Sequence, residues 1–229
     1  MSRSNVWMWW SSGKDSTWAL HRLRTAQEYA DFEVTALVTS INAQADRVAM
    51  HAVRTELLRA QARSLDLPLK LIELPYPGPN GAYEEAAGRL IHEAEQEGVS
   101  HMAFGDLFLE DIRAYRENLL TSSPIEPLFP VWHFDTEKMA QDVVDSGVEA
   151  YLTCVDPKVL DESFVGRPYD HDLLADLPEN VDPCGENGEF HTFVANGPGF
   201  RAPILVELGE TVTRDGFTFA DLMPTAPKR

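Results

Sequence analysis

The chain has 229 residues, with Lys+Arg 19 against Asp+Glu 37, a formal net charge of −18. Its length allows one large domain or two compact ones, and 44% hydrophobic residues supply an ample core and exclude a mainly disordered chain. The acidic excess repels phosphate backbones, so nucleic acid is not an expected partner without a basic patch, and the arginines over 47–63, diluted by Glu56, read as one helix face instead.

Residues 6–10 form a short apolar run, followed by Ser11-Ser12-Gly13-Lys14-Asp15-Ser16 and a helical pattern through Ala19, Leu23 and Ala26. Strand, polar loop and helix are expected. A β-branched run at 34–41 predicts a buried strand, and Leu58, Ala62 and Leu65 at helical spacing predict the next helix. Residues 69–74 predict a third strand, 75–81 a Pro/Gly loop, and Ala86, Leu90, Ile91 and Ala94 a helix stopped by Gly98. A strand at 101–104 and a helix at 109–120 complete four βα units, which imply an α/β fold with a doubly wound parallel sheet.

After Thr121, Ser122, Ser123, Pro124, Pro127 and Pro130 mark a boundary, dividing the chain into 1–123 and 124–229. The second part predicts a helix at 137–146, strands at 150–155, 190–194 and 203–208, a Pro/Asp-rich stretch up to Asn187, and a frayed tail from Thr225. It reads as a smaller α+β C-terminal lobe. Cys154 and Cys184 lie far apart with neither disulfide nor metal-ligand spacing, and Cys184 is expected to pack rather than act as a nucleophile. No apolar run of about 18 residues occurs and the N-terminus lacks a signal-peptide pattern, so a cytoplasmic location without a membrane partner is expected.

A Ser/Gly-rich loop between a buried strand and a helix offers backbone N–H groups and the positive end of the helix dipole to an anion. Lys14 adds a full charge, and Ser11, Ser12 and Ser16 add hydroxyl donors around Gly13. This is the composition of a phosphate cradle. The Walker pattern is excluded, because Met8 stands where it needs glycine and Asp15 where it needs Ser or Thr. Gly105-Asp106 ends the fourth strand, where ligands of open α/β sheets collect; Asp106 is a candidate for Mg²⁺, for ribose or for helix capping. Asp15 is equally a candidate to approach Mg²⁺ or to fix the loop's own N–H groups.

The loop at 11–16 resembles the SGGKDS loop of N-type ATP pyrophosphatases, with Ser12 in place of a glycine. The segment Asp182-Pro183-Cys184-Gly185-Glu186-Asn187-Gly188-Glu189-Phe190-His191-Thr192 resembles the NPCGEGGEFHT signature of diphthine-ammonia ligases. Trp132, Val155-Asp156, Leu160-Asp161-Glu162-Ser163, Gly166-Arg167, Asn196-Gly197-Pro198 and Met50-His51 extend the resemblance over almost the whole chain. The resemblance implies an adenine nucleotide alpha hydrolase-like fold of HUP type, ATP and Mg²⁺ as cofactors, and His51 in the nucleotide pocket. It also implies an AMP-forming amide ligase that activates a carboxylate as an acyl-adenylate, with ammonia or an amine as the second partner and an acceptor carboxylate that a protein could carry.

In that scheme Lys14 and the loop hold the departing pyrophosphate, Glu186 and Glu189 hold ammonium or a cationic substrate, and His191 moves a proton near neutral pH. Gly185, Gly188 and Thr192 complete the substrate segment, the glycines allowing tight turns beside a ligand. Where the family carries SDYQR, residues 109–113 keep only the acid at Glu110 and the Arg113 guanidinium, which leaves the acceptor open. Other acceptors, an RNA base or a small molecule, and a non-catalytic adenine-nucleotide sensor remain alternatives; the oligomeric state is open, a homodimer included.

Overall fold

The computed structural model describes residues 3–48, 53–75 and 81–225. Its first sheet is built from β1 (Ser4–Trp9), β2 (Phe32–Asn42), β3 (Arg47–Val48), β4 (Leu69–Leu74), β5 (His101–Ala103) and β6 (Glu126–Leu128). Between them run α1 (Lys14–Thr25), α2 (Thr55–Leu65), α3 (Ala82–Gln96) and α4 (Glu110–Leu120). Strands β4, β2, β1, β5 and β6 lie side by side, each pair parallel, while the two-residue β3 runs antiparallel to the far end of β2. The chain therefore steps outward from β1 through β2 and β4, then returns to the other side of β1 for β5. That reversal puts a crevice at the carboxyl ends of β1 and β5, where an open α/β sheet takes its ligands.

The period-2 alternation of β1 divides its side chains between two cores. Val6, Met8 and Trp10 join the cluster under α1 and α2, whereas Trp7 and Trp9 face the cluster under α3. Leu37 and Ile41 of β2 repeat the first assignment, Ala36 and Val38 the second. Helix α3 ends against Gly98, which at φ +73 adopts the left-handed backbone expected after a C-terminus.

The second sheet is antiparallel, in the order β8, β7, β10, β9, where β7 is Glu149–Val155, β8 Phe190–Asn196, β9 Val206–Arg214 and β10 Phe217–Pro224. Two helices accompany it, α5 (Thr136–Asp145), whose Asp135 side chain caps the Lys138 N–H, and α6 (His171–Asp176). Ala150, Leu152, Phe190, Phe193 and Val194 from this half belong to the same buried cluster as Leu20, Leu23, Leu57 and Leu58 from the first. The C-terminal half thus packs its inner face onto α1 and α2.

The doubly wound sheet and the smaller α+β lobe are both present, with four differences of detail. Strand β6, beyond residue 124, pairs with β5 and closes the first sheet; Pro127 is tolerated there because β6 is an edge strand. The strand expected at 203–208 runs instead as Val206–Arg214, since Pro203 has no N–H to give a ladder. Its partner β10 was not anticipated, although Asp215-Gly216 between them, with φ +52 and +85, is the two-residue turn that hairpins favour. Helix α6 was also missed, being only six residues long inside the Pro/Asp-rich stretch.

Candidate active site

The loop after β1 is held in place from three directions. Thr192 Oγ1 of β8 accepts from the Lys14 N–H at 3.1 Å, and the Val194 N–H donates to the Ser12 carbonyl at 3.0 Å. Gln61 of α2 donates through Nε2 to the Ser12 carbonyl at 3.0 Å and to the Val194 carbonyl at 2.7 Å, while its Oε1 accepts from Trp10 Nε1 at 2.8 Å. A Cβ on Gly13 would stand 3.1 Å from the Thr192 carbonyl oxygen, so glycine lets the loop lie against β8. Ser12 sits at φ +70, in the left-handed region where the resembling loop has glycine, and its buried hydroxyl has no partner among the described residues. The replacement strains the backbone.

Lys14 departs from the sequence expectation of an available cation. It is buried, 2% exposed, and its Nζ donates to Asp15 Oδ1 and Oδ2 at 2.9 and 3.0 Å and to the Cys184 carbonyl, with the Tyr169 and Phe190 rings 5.5 and 5.3 Å away. Burial opposes its charge, but the Asp15 carboxylate prevails and holds the ammonium above its ordinary range. Tyr169 in turn donates its hydroxyl to the Pro183 carbonyl at 2.7 Å, anchoring the segment that supplies Cys184. Cys184 is itself buried, with its thiol pushed up by burial, and it packs as expected.

A cavity of about 190 Å³ opens over this arrangement, at the crevice between β1 and β5. Ser11, Gly13, Lys14, Asp15, Ser16, Gly105, Asp106, Gly185, Glu186, His191 and Thr192 all line it, so the two sequence motifs and the Gly105-Asp106 turn meet in one place. Gly105 fits tightly against α1, its missing Cβ only 3.0 Å from the Ser16 nitrogen. At the start of α1 the Lys14 N–H is taken by Thr192 Oγ1 and the Thr17 N–H by the Gly13 carbonyl, which leaves the Asp15 and Ser16 N–H groups without an intrahelical acceptor and this end of the helix receptive to an anion.

Three expected residues do not line the cavity. Ser12 is buried beneath it, and Gly188, at φ +89, serves the turn before β8. Glu189 is 4% exposed and acts as an internal brace: its Oε1 accepts from the Asp182 N–H at 3.1 Å and from Asn187 Nδ2 at 3.0 Å. His51 lies outside the described residues.

Two titratable groups at the cavity are displaced in opposite directions. Burial, reinforced by Lys14, pushes His191 down to about 4, so its imidazole is neutral at pH 7. Glu186 moves the other way, pushed up to about 7 by burial, against the Leu107 N–H that donates to its Oε1 at 2.7 Å. Asp15 and Asp106 add to that rise. Glu186, not His191, titrates where a proton shuttle is useful.

Sequence reasoning missed the supports of this site. Gln61 was detectable as a lone amide on the buried side of α2, one residue before Ala62, and such a group needs partners. Arg116 lines the cavity from α4, one turn beyond Arg113, and Trp9 and Phe104 line it from the ends of β1 and β5. Among the described residues no group of three or more His, Cys, Asp or Glu side chains could hold a metal ion. No described helix is long and apolar enough to cross a membrane.

Comparison with known proteins agrees with both motifs. The diphthamide synthase N-terminal domain matches residues 4–124, and the diphthamide synthase C-terminal domain matches residues 135–221. The chain is similar to a diphthine–ammonia ligase of Danio rerio, 26% identical over 211 residues, covering 88% of this chain and 81% of that protein. It is 30% identical over 131 residues to the diphthine–ammonia ligase of Bos taurus and 28% identical over 131 residues to that of Homo sapiens, covering 55% of this chain in each case. Those matches span about half of the two mammalian proteins, 49% of each. With an N-terminal domain model alone accounting for more than half of its residues, the chain belongs to the diphthamide synthase family.

Proposed function

We propose that this protein is an ATP-dependent ligase that forms a carbon–nitrogen bond. A carboxylate oxygen of the acceptor attacks the α-phosphorus of ATP, the bond to the β-phosphate oxygen breaks, and pyrophosphate leaves with the electron pair. Ammonia or an amine then attacks the acyl carbon, AMP departs, and the nitrogen gives up a proton. The observation that carries this reading is the convergence of the loop at 11–16 with Glu186, His191 and Thr192 around one cavity at the sheet's switch point.

Within that cavity the residues divide the work. The Asp15 and Ser16 N–H groups of α1 and the Ser11 and Ser16 hydroxyls bind phosphate oxygens. Lys14 organises the loop through Asp15 and the Cys184 carbonyl rather than reaching the substrate as a free arm. Glu186 takes the proton from the attacking nitrogen, a role suited to a carboxyl that titrates at about 7. Neutral His191 orients the substrate.

Mg²⁺ fits this donor set, since it binds ATP through one or two carboxylates and the phosphates and needs no all-protein cage. Asp15 and Asp106, both partly exposed at the cavity, would hold it. Bound there, it would supply positive charge to the polyphosphate.

The relatives' name specifies diphthine as acceptor. The replacement of an SDYQR-type segment by residues 109–113 favours a different carboxylate, on a protein or a small molecule, for this chain. The test follows the phosphates: ATP labelled at its α and γ positions is incubated with the protein, Mg²⁺, ammonium and fractionated cell extract. Labelled AMP and pyrophosphate are expected, and ADP with orthophosphate would refute the reading.

A further inference from the structure

The cavity is short of available positive charge. Asp15, Asp106 and Glu186 bring carboxyl groups to it, and with His191 neutral its cations among the described residues are Lys14 and Arg116. Lys14 Nζ is already committed to the two Asp15 oxygens and the Cys184 carbonyl. A triphosphate entering here needs a charge that Lys14 does not offer.

Arg116 is placed to offer it. Its guanidinium packs over Phe104 at 5.3 Å and Trp9 at 5.9 Å, which fixes its plane without consuming its donors. Nε meets Asp106 Oδ2 and Nη1 meets the Tyr83 hydroxyl, both at 3.4 Å, near the long limit of a hydrogen bond. Nη2 has no acceptor among the described residues. The side chain is 21% exposed at the cavity wall, oriented but unsaturated, and a planar fork of this kind matches two phosphate oxygens.

We propose that Arg116 grips the β- and γ-phosphates of ATP and carries the charge of the departing pyrophosphate, an assignment that rests on the ATP chemistry proposed above. As the bond between the α-phosphorus and the bridging oxygen breaks, negative charge builds on that oxygen and spreads over pyrophosphate. A guanidinium already held by two rings and two weak polar contacts stabilises that charge with little reorganisation. The AMP half carries no comparable charge change and gains little from it.

Titration calorimetry of the full chain with inorganic pyrophosphate, with AMP and with α,β-methylene ATP, each in Mg²⁺, tests this in wild type, Arg116→Gln and Arg116→Lys. Arg116→Gln is expected to weaken pyrophosphate about 10-fold or more while AMP changes less than about twofold. Arg116→Lys should recover part of the loss, because charge returns without the fork. Pyrophosphate affinity unchanged in both variants overturns the assignment and leaves the ATP chemistry standing. Equal losses for AMP and pyrophosphate also overturn it, since they mark a general loosening of the cavity. Wild-type protein that binds neither the ATP analogue nor pyrophosphate overturns the ATP reading and this assignment with it.

Discussion

The loop at 11–16 and the segment at 182–192 reach the same cavity by opposite routes. The first is a strand-to-helix turn whose backbone does the presenting, while its one cation is turned inward and closed off by Asp15 and Cys184. The second is a string of tight turns, Gly185 and Gly188 at φ +69 and +89, that delivers side chains and is braced by buried Glu189. Sequence motifs in two halves suggest two parts facing each other across a gap. Thr192, Cys184 and Val194 bond directly to the first loop, so the halves build one site and a change in either is felt by both.

Breaking that union at Lys14 should have the largest effect. Lys14→Met leaves Asp15 without its partner in a mostly buried place, and about 3 kcal/mol of stability should be lost, the low end of the range for a broken buried pair because Asp15 is 26% exposed. Urea denaturation reads it, and an undiminished midpoint would mean that the cation is a solvent-facing arm after all. Gln61→Leu comes next, at about 2 kcal/mol, because it orphans Trp10 Nε1, takes the amide donor from the Val194 carbonyl and leaves the Ser12 carbonyl with the Val194 N–H alone. The same denaturation series checks it, and a loss under about 0.5 kcal/mol would show that the network does not join the halves.

Acid–base behaviour sharpens the comparison, because the cavity holds two groups displaced in opposite directions. Glu186 titrates at about 7 in the folded chain against an ordinary 4.5, so between those values the folded state keeps a proton that the unfolded state has lost. Its contribution to stability therefore falls as pH rises through that window. His191 titrates at about 4 against an ordinary 6.5, so its contribution is intact above 6.5 and is lost as pH falls towards 4. Relative to wild type, Glu186→Gln should gain stability more steeply as pH rises from 4.5 to 6.5, and His191→Gln less steeply. Urea midpoints across that range report both, and parallel curves for all three proteins would remove the assigned displacements.

The smallest effect is a gain. Ser12→Gly relieves the φ +70 backbone and removes a buried hydroxyl without a partner, and after the extra flexibility of the unfolded chain is subtracted it should stabilise by about 0.5–1 kcal/mol. A thermal melt that shifts downward would show that the serine stabilises the free protein despite its left-handed backbone.

Much of this was legible in the sequence where local physics dominates. Apolar periodicity located β1, β2, β4 and β5 and the helices between them, and the alternation Val6, Met8, Trp10 against Trp7 and Trp9 already distinguishes two cores. The cavity's outline was legible too, because Gly13, Gly105 and Gly185 mark close backbone approaches. What sequence could not give was the state of the charged groups. Lys14 looked available because its partner Cys184 carbonyl is 170 positions away, and Glu189 looked like a ligand because nothing local reveals that it is 4% exposed. His191 looked poised near neutrality until burial was known. Arg116 carried no motif and emerges only from the geometry of α4 against Trp9 and Phe104.

Thr192 offers the most direct test of the single-site account, because its Oγ1 is the acceptor for the Lys14 N–H and its removal leaves shape nearly unchanged. Thr192→Val should lower affinity for α,β-methylene ATP about 5- to 10-fold, the worth of one hydrogen bond that sets the loop, with about 1 kcal/mol lost in urea denaturation because the buried Lys14 N–H is left unpaired. Affinity equal to wild type by titration calorimetry would mean that the loop after β1 holds its shape alone, and that the C-terminal segment is a separate neighbour of the proposed nucleotide site.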